Sequence, residues 1–141
     1  MTITLRTRAA LGLPLLLLVA GCGLGGDAPA GPPAPAPIEA AALPEGGCRT
    51  AAPLLQQVRE DVAELRADED AAATIRTSLA ASQQALAALS SPGPDADEAL
   101  GELGQALGFL RLGIDAHSYD EDHLARVDDA VTGTVDACLA S

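Results

Sequence analysis

From position 51 onward, apolar residues recur at alternating steps of three and four, the period of an amphipathic helix. Ala51, Leu55, Val58, Val62 and Leu65 form a first stripe. Ala72, Ile75, Leu79, Leu86 and Leu89 form a second, with Ser82 filling its gap. Ala96, Leu100, Leu103, Leu107, Leu110 and Ile114 form a third. Leu124, Val127, Val131, Val135 and Cys138 form a fourth, with one step of four where three is expected. No strand-like alternation competes, so the pattern predicts an all-α, up-down four-helix bundle over residues 48–141.

The breaks differ in kind. Ser91-Pro92-Gly93-Pro94 stops the second helix, and Asp95 or Asp97 is the expected cap of the third. Gly113 and the segment to Ser118 end the third helix. Ser118 and Glu121 have capping-box spacing, and Asp120, Glu121 and Asp122 suit the positive start of the fourth. The segment Asp68-Glu69-Asp70 contains neither Gly nor Pro. A turn is nevertheless expected there, because carrying the first stripe on in register would bury Glu69 and Arg76.

The N-terminal pattern is different. Arg6 and Arg8 precede an apolar run from Ala9 to Ala20, which is too short for the roughly 20 residues of a spanning helix. The run ends in Val19-Ala20-Gly21-Cys22, and here the sequence resembles the bacterial lipoprotein signal: an aliphatic residue, two small residues and an obligatory Cys. The resemblance covers the first 22 residues. It implies a signal peptide over 1–21, cleavage before Cys22, and a diacylglycerol thioether on that thiol. The chain is then expected at a cell membrane, lipid-anchored and facing outward from the cytoplasm.

Residues 22–47 carry the lipidated Cys and a Pro/Gly-rich stretch, with Pro32-Pro33-Ala34-Pro35-Ala36-Pro37 at its centre. Such composition favours extended polyproline II and reads as a tether, whose fully extended reach is about 75 Å at ~3.1 Å per residue.

Charge narrows the partners. Past the leader there are six Arg, no Lys and all 20 Asp and Glu, giving −14. That field repels nucleic acid and anionic headgroups and favours basic partners or divalent cations. Phe109 and Tyr119 are the only aromatic residues, so Leu, Ile, Val and Ala must build the core. With Cys22 acylated, Cys48 and Cys138 are the remaining pair in an oxidising setting. They flank the first and last helices, whose ends share one pole of a four-helix bundle, so a disulfide is expected.

Chemistry-bearing residues concentrate in His117-Ser118-Tyr119-Asp120-Glu121-Asp122-His123. A divalent metal on His117, Asp120, Asp122 and His123 is one reading, although the spacing fits no metal motif; a solvated helix start is the other. Gly104 and Gly108 fit either a close helix approach or a ligand-facing groove, with close packing the favoured of the two. No catalytic motif is present, and neither an enzyme nor a cofactor is expected. Phe109 and Leu112 fall off the third stripe and are candidate partner contacts. The expected function is an accessory, protein-interacting envelope lipoprotein. The alternatives are a metal or small-ligand binder and a structural spacer.

Overall fold

The computed structural model describes residues 34–141; the leader, Cys22 and most of the proline-rich stretch lie outside the described residues. Four helices follow in order: α1 Gly47–Ala67, α2 Ala72–Ala87, α3 Pro94–Asp115 and α4 Glu121–Ala140. There is no strand among the described residues, and no helix there is long and apolar enough to cross a membrane. Consecutive helices pack on one another and α1 closes against α4, making an up-down-up-down ring with α3 diagonally across from α1.

The predicted stripes form the core. Leu55, Val58 and Val62 of α1, Leu79 of α2, Leu103, Leu107 and Leu110 of α3, and Val127 and Val131 of α4 are completely enclosed. Each such side chain contributes about 1.5–3 kcal/mol by leaving water, which is how a chain without Trp assembles. The irregular step in the fourth stripe has a physical reason. Thr134, not Val135, takes the central position, and its hydroxyl donates to the Ala130 carbonyl (2.8 Å) and the Ala99 carbonyl (3.3 Å). A satisfied hydroxyl is tolerated in the core, and the three–four rhythm is restored.

The α1–α2 turn is made by Asp68. Its backbone leaves the helix in an extended conformation, and its carboxylate accepts the Asp70 N–H at 2.9 Å, starting a single 3₁₀ turn over Glu69–Ala71. Between α2 and α3 the expected carboxylate cap is absent. Gly93, at φ 128°, occupies the N-cap position, Pro94 begins the helix, and Asp97 accepts from the Ser91 hydroxyl instead.

The α3–α4 connection also differs from the expected capping box. Ser118 donates its N–H to the Gly113 carbonyl (2.8 Å) and His117 to the Ile114 carbonyl (3.1 Å), with His117 at φ 51°. This is a Schellman closure with His where Gly is usual. Asp120 caps α4, accepting the His123 N–H at 3.1 Å. Glu121 is thereby free to take the Arg66 guanidinium (2.8 Å), which also reaches Asp128 (2.7 Å) and ties α1 to α4.

Cys48 and Cys138 form a disulfide with Cα atoms 5.7 Å apart, joining the first turn of α1 to the end of α4. Leu43, Ala52 and Ala96 pack around it as a small second core. Leu43 belongs to the stretch expected to be tether. From Ala36 the chain instead lies along α1 as a strap: Ala36 accepts from Arg59 (3.3 Å), the Ile38 N–H donates to Gln56 (3.0 Å), and the Leu43 carbonyl accepts from Arg49 (3.0 Å). The packed body therefore begins near Ile38 rather than at Cys48.

Candidate functional site

Two regions gather the residues singled out by the sequence. The first is the pole formed by the α1–α2 and α3–α4 turns, where a hollow of about 480 Å³ is bordered by Glu69, Asp70, Arg76, Asp115, His117 and Tyr119. Two of its charges are engaged with each other. Arg76 forms a two-point pair with Asp115, and this hydrogen bond holds the Asp115 carboxyl below the usual carboxylate range. Tyr119 sends its hydroxyl inward without a partner, and desolvation raises its pKa.

Of the four candidate metal ligands only Asp120 and His123 meet here. Asp120 is bonded to the His123 ring nitrogen (2.6 Å) as well as the His123 N–H, contacts that lower its pKa and commit it to the helix start. His117 borders the hollow, whereas Asp122 is exposed on the first turn of α4. No three His, Cys, Asp or Glu side chains converge on one point among the described residues. The bonds in place are those of a helix cap and an interhelical ion pair.

The second region is the seam between α3 and α4. Phe109 and Leu112 leave 51% and 65% of their surface in water, a consequence of how α3 is rotated about its axis. The core stripe fixes that rotation, because turning α3 would expose Leu103, Leu107 and Leu110. Phe109 borders a groove of about 350 Å³ whose sides are Glu102 and Gln105 of α3 and Arg126 and Asp129 of α4. Ala106, Ala130 and Gly133 line it as well, and their small size makes it concave. The Arg126 guanidinium carbon lies 5.9 Å from the Phe109 ring centroid, at the outer edge of a cation–π contact. Sequence reasoning identified Phe109 and Leu112 but not Arg126, Ala130 or Gly133. Their spacing on α4 is that of one helix face, and only pairing with α3 makes it a groove.

The glycine spacing on α3 does something other than the favoured close packing. A Cβ at Gly101 or Gly104 would meet nothing within 4 Å, and one at Gly108 would meet only Gln83 at 3.8 Å. These residues lie beside a shallow α2–α3 groove of about 330 Å³. It is bridged by Gln83, which donates to the Gly104 carbonyl (2.7 Å) and accepts from Arg111 (2.6 Å). Close approach occurs at Gly47 and Gly113, outside the predicted pair. Comparison with protein-family models, with curated proteins and with solved structures finds no match.

Proposed function

We propose that the chain is an exported lipoprotein, anchored through acylated Cys22, whose helical bundle is a non-catalytic interaction module of the cell envelope. The observation that carries this reading is the exposure of two large apolar side chains on α3, Phe109 bordering an open groove and Leu112 three residues further on. Their position on the molecule agrees with it. The strap enters alongside α1, where Arg59 reaches both Ala36 and Thr132 of α4, and α3 stands diagonally across the bundle. A partner on the α3 side would face away from the strap.

With the strap beginning at Ala36, the spacer comprises residues 23–35, with a fully extended reach of about 40 Å at ~3.1 Å per residue. The bundle would thus work within a few nanometres of its membrane. Against an enzymatic role stand the engagement of the two bundle cysteines in a disulfide and of Asp115 and Asp120 in an ion pair and a helix cap.

The anchor is tested by Cys22→Ser, which should leave unprocessed precursor and abolish acyl incorporation; normal processing would refute it. The module is tested by placing a photo-crosslinking amino acid at Phe109 in cells. A discrete crosslinked species is expected from that position and not from Thr77 on α2. Identical patterns from both positions would refute the assignment.

A further inference from the structure

The occupant of the α3–α4 groove can be taken further, on the reading that this face is a contact surface. Three occupants are physically distinct: a second copy, a lipid surface and a different protein. A second copy brings the same strongly negative mature chain, and an anionic membrane brings like charge, so both are repelled. The groove itself shares this sign. Glu102 and Asp129 stand on its two sides, with Glu98 one turn beyond on α3 and exposed Asp122 and Asp136 each about two turns from Asp129 on α4. Arg126 is the one cation lining it, and its guanidinium is drawn over Phe109.

Shape narrows the class. The seam runs from Glu102 to Phe109 between two packed helices, about 10 Å at ~1.5 Å per residue. Ala106, Ala130 and Gly133 make a channel along it, Phe109 stands at one end, and exposed Leu112 follows three residues later on α3. An amphipathic helix fits such a channel, placing one apolar residue per turn into it. We propose that the α3–α4 groove binds a basic amphipathic helix of a partner protein. Its aliphatic stripe packs on Phe109, Leu112 and Ala130, and its flanking Lys or Arg residues face Glu102 and Asp129. Arg126 swings aside as the helix seats.

The test uses the acylated full-length mature chain in zwitterionic nanodiscs. The probe is a synthetic helix of about 15 residues with Leu at heptad spacing and Lys on both flanks. A scrambled peptide of equal composition and a Glu-for-Lys version are compared with it by fluorescence anisotropy. The amphipathic basic helix should bind at least about tenfold more tightly than the scrambled one, a difference of ~1.4 kcal/mol, and the acidic version should not bind.

Phe109→Ser/Leu112→Ser and the groove-filling Gly133→Leu should each weaken binding about tenfold, with unchanged helicity and melting as the folding control. Arg126→Gln should bind as well or better, because the competing cation is gone. Equal binding of the scrambled peptide, or full affinity in both groove variants, would reduce the effect to nonspecific charge and overturn the proposal. Loss of binding in Arg126→Gln would indicate an acidic ligand and overturn it equally. So would self-association, or binding to anionic vesicles, that the Phe109/Leu112 variant abolishes. A Phe109 crosslink to a protein without a basic helix would overturn this inference while leaving the interaction module intact.

Discussion

Replacing Gly by Ala should have opposite signs at two pairs of positions in this bundle, and the difference follows from what the new methyl group meets. Gly101 and Gly104 lie inside α3, where a Cβ would touch nothing within 4 Å. Alanine there reduces the backbone entropy of the unfolded chain without a steric cost, a gain of about 0.5–1 kcal/mol at each site. The double variant should gain roughly 1–2 kcal/mol and, at ~4–8 °C per kcal/mol for a domain of this size, melt several degrees higher. Gly47 is the reverse case. Its Cβ would stand 2.4 Å from the Ser90 carbonyl oxygen and 3.0 Å from the Pro92 ring, so backbone must move where the α2–α3 loop crosses the start of α1. At Gly113 the contacts are 3.0 Å and 3.2 Å to Cβ and Cα of Tyr119, inside the loop closed by the Ser118 to Gly113 hydrogen bond. Overpacking of this kind costs about 1–3 kcal/mol, which exceeds the propensity gain. Urea unfolding followed by circular dichroism, with the disulfide intact, measures all four variants. A Gly101→Ala/Gly104→Ala protein less stable than wild type would mean that α2 packs against those glycines, and the open groove would be refuted. A stabilised Gly113→Ala would refute the close approach of Tyr119.

Cys48→Ser/Cys138→Ser opens a loop with a sequence separation of 90 and should cost about 4–5 kcal/mol in the chain-entropy model, read as a lower urea midpoint; an unchanged midpoint would show that the link carries no stability. Asp115 and Asp120 have folded pKa values below their unfolded ones. Their contribution is therefore complete above the ordinary carboxylate range and is lost as pH falls through the lowered values, so the melting temperature should drop below about pH 4. Asp120→Asn should keep the cap and flatten its share of that acid slope, whereas Asp120→Ala should lower the melting temperature at neutral pH as well; equal melting curves for the two would refute the cap. His117→Gly should stabilise by about 1 kcal/mol by relieving a side chain at positive φ, and a loss would mean that the imidazole makes a compensating contact.

The four helices were legible because burial imposes a period that hydrophobicity reveals directly, and the stripes through Leu55, Leu79, Leu107 and Val127 form the core. What escaped was polar or nonlocal. Thr134 is enclosed because its hydroxyl is satisfied within α4, a circumstance invisible to a hydrophobicity pattern that therefore stepped to Val135. The capping box at Ser118 and Glu121 was a sound local match. Asp120 offered a carboxylate nearer to the helix start, and Ser118 was needed for closing α3. The turn at Asp68 was expected from the register of the first stripe; what that register did not name was its agent, the Asp68 carboxylate that accepts the Asp70 N–H.

The strap and the groove escaped for a shared reason, and it bears on how the molecule would work. Ile38 and Leu43 are two isolated apolar residues amid Pro, Gly and Ala, too few to show a period, and their partners lie on α1 or beside the disulfide. Arg126, Ala130 and Gly133 look like an ordinary exposed helix face until α3 is laid beside them. In each case the meaning of a residue is set by an element far away in sequence, so no window along the chain contains it. Phe109 and Leu112 could be picked out because they broke a strong local pattern, and such exceptions are where a single sequence is most informative about contacts. The strap then gives these exceptions a direction: residues 36–38 are fastened to α1, and α3 stands diagonally across the bundle from it.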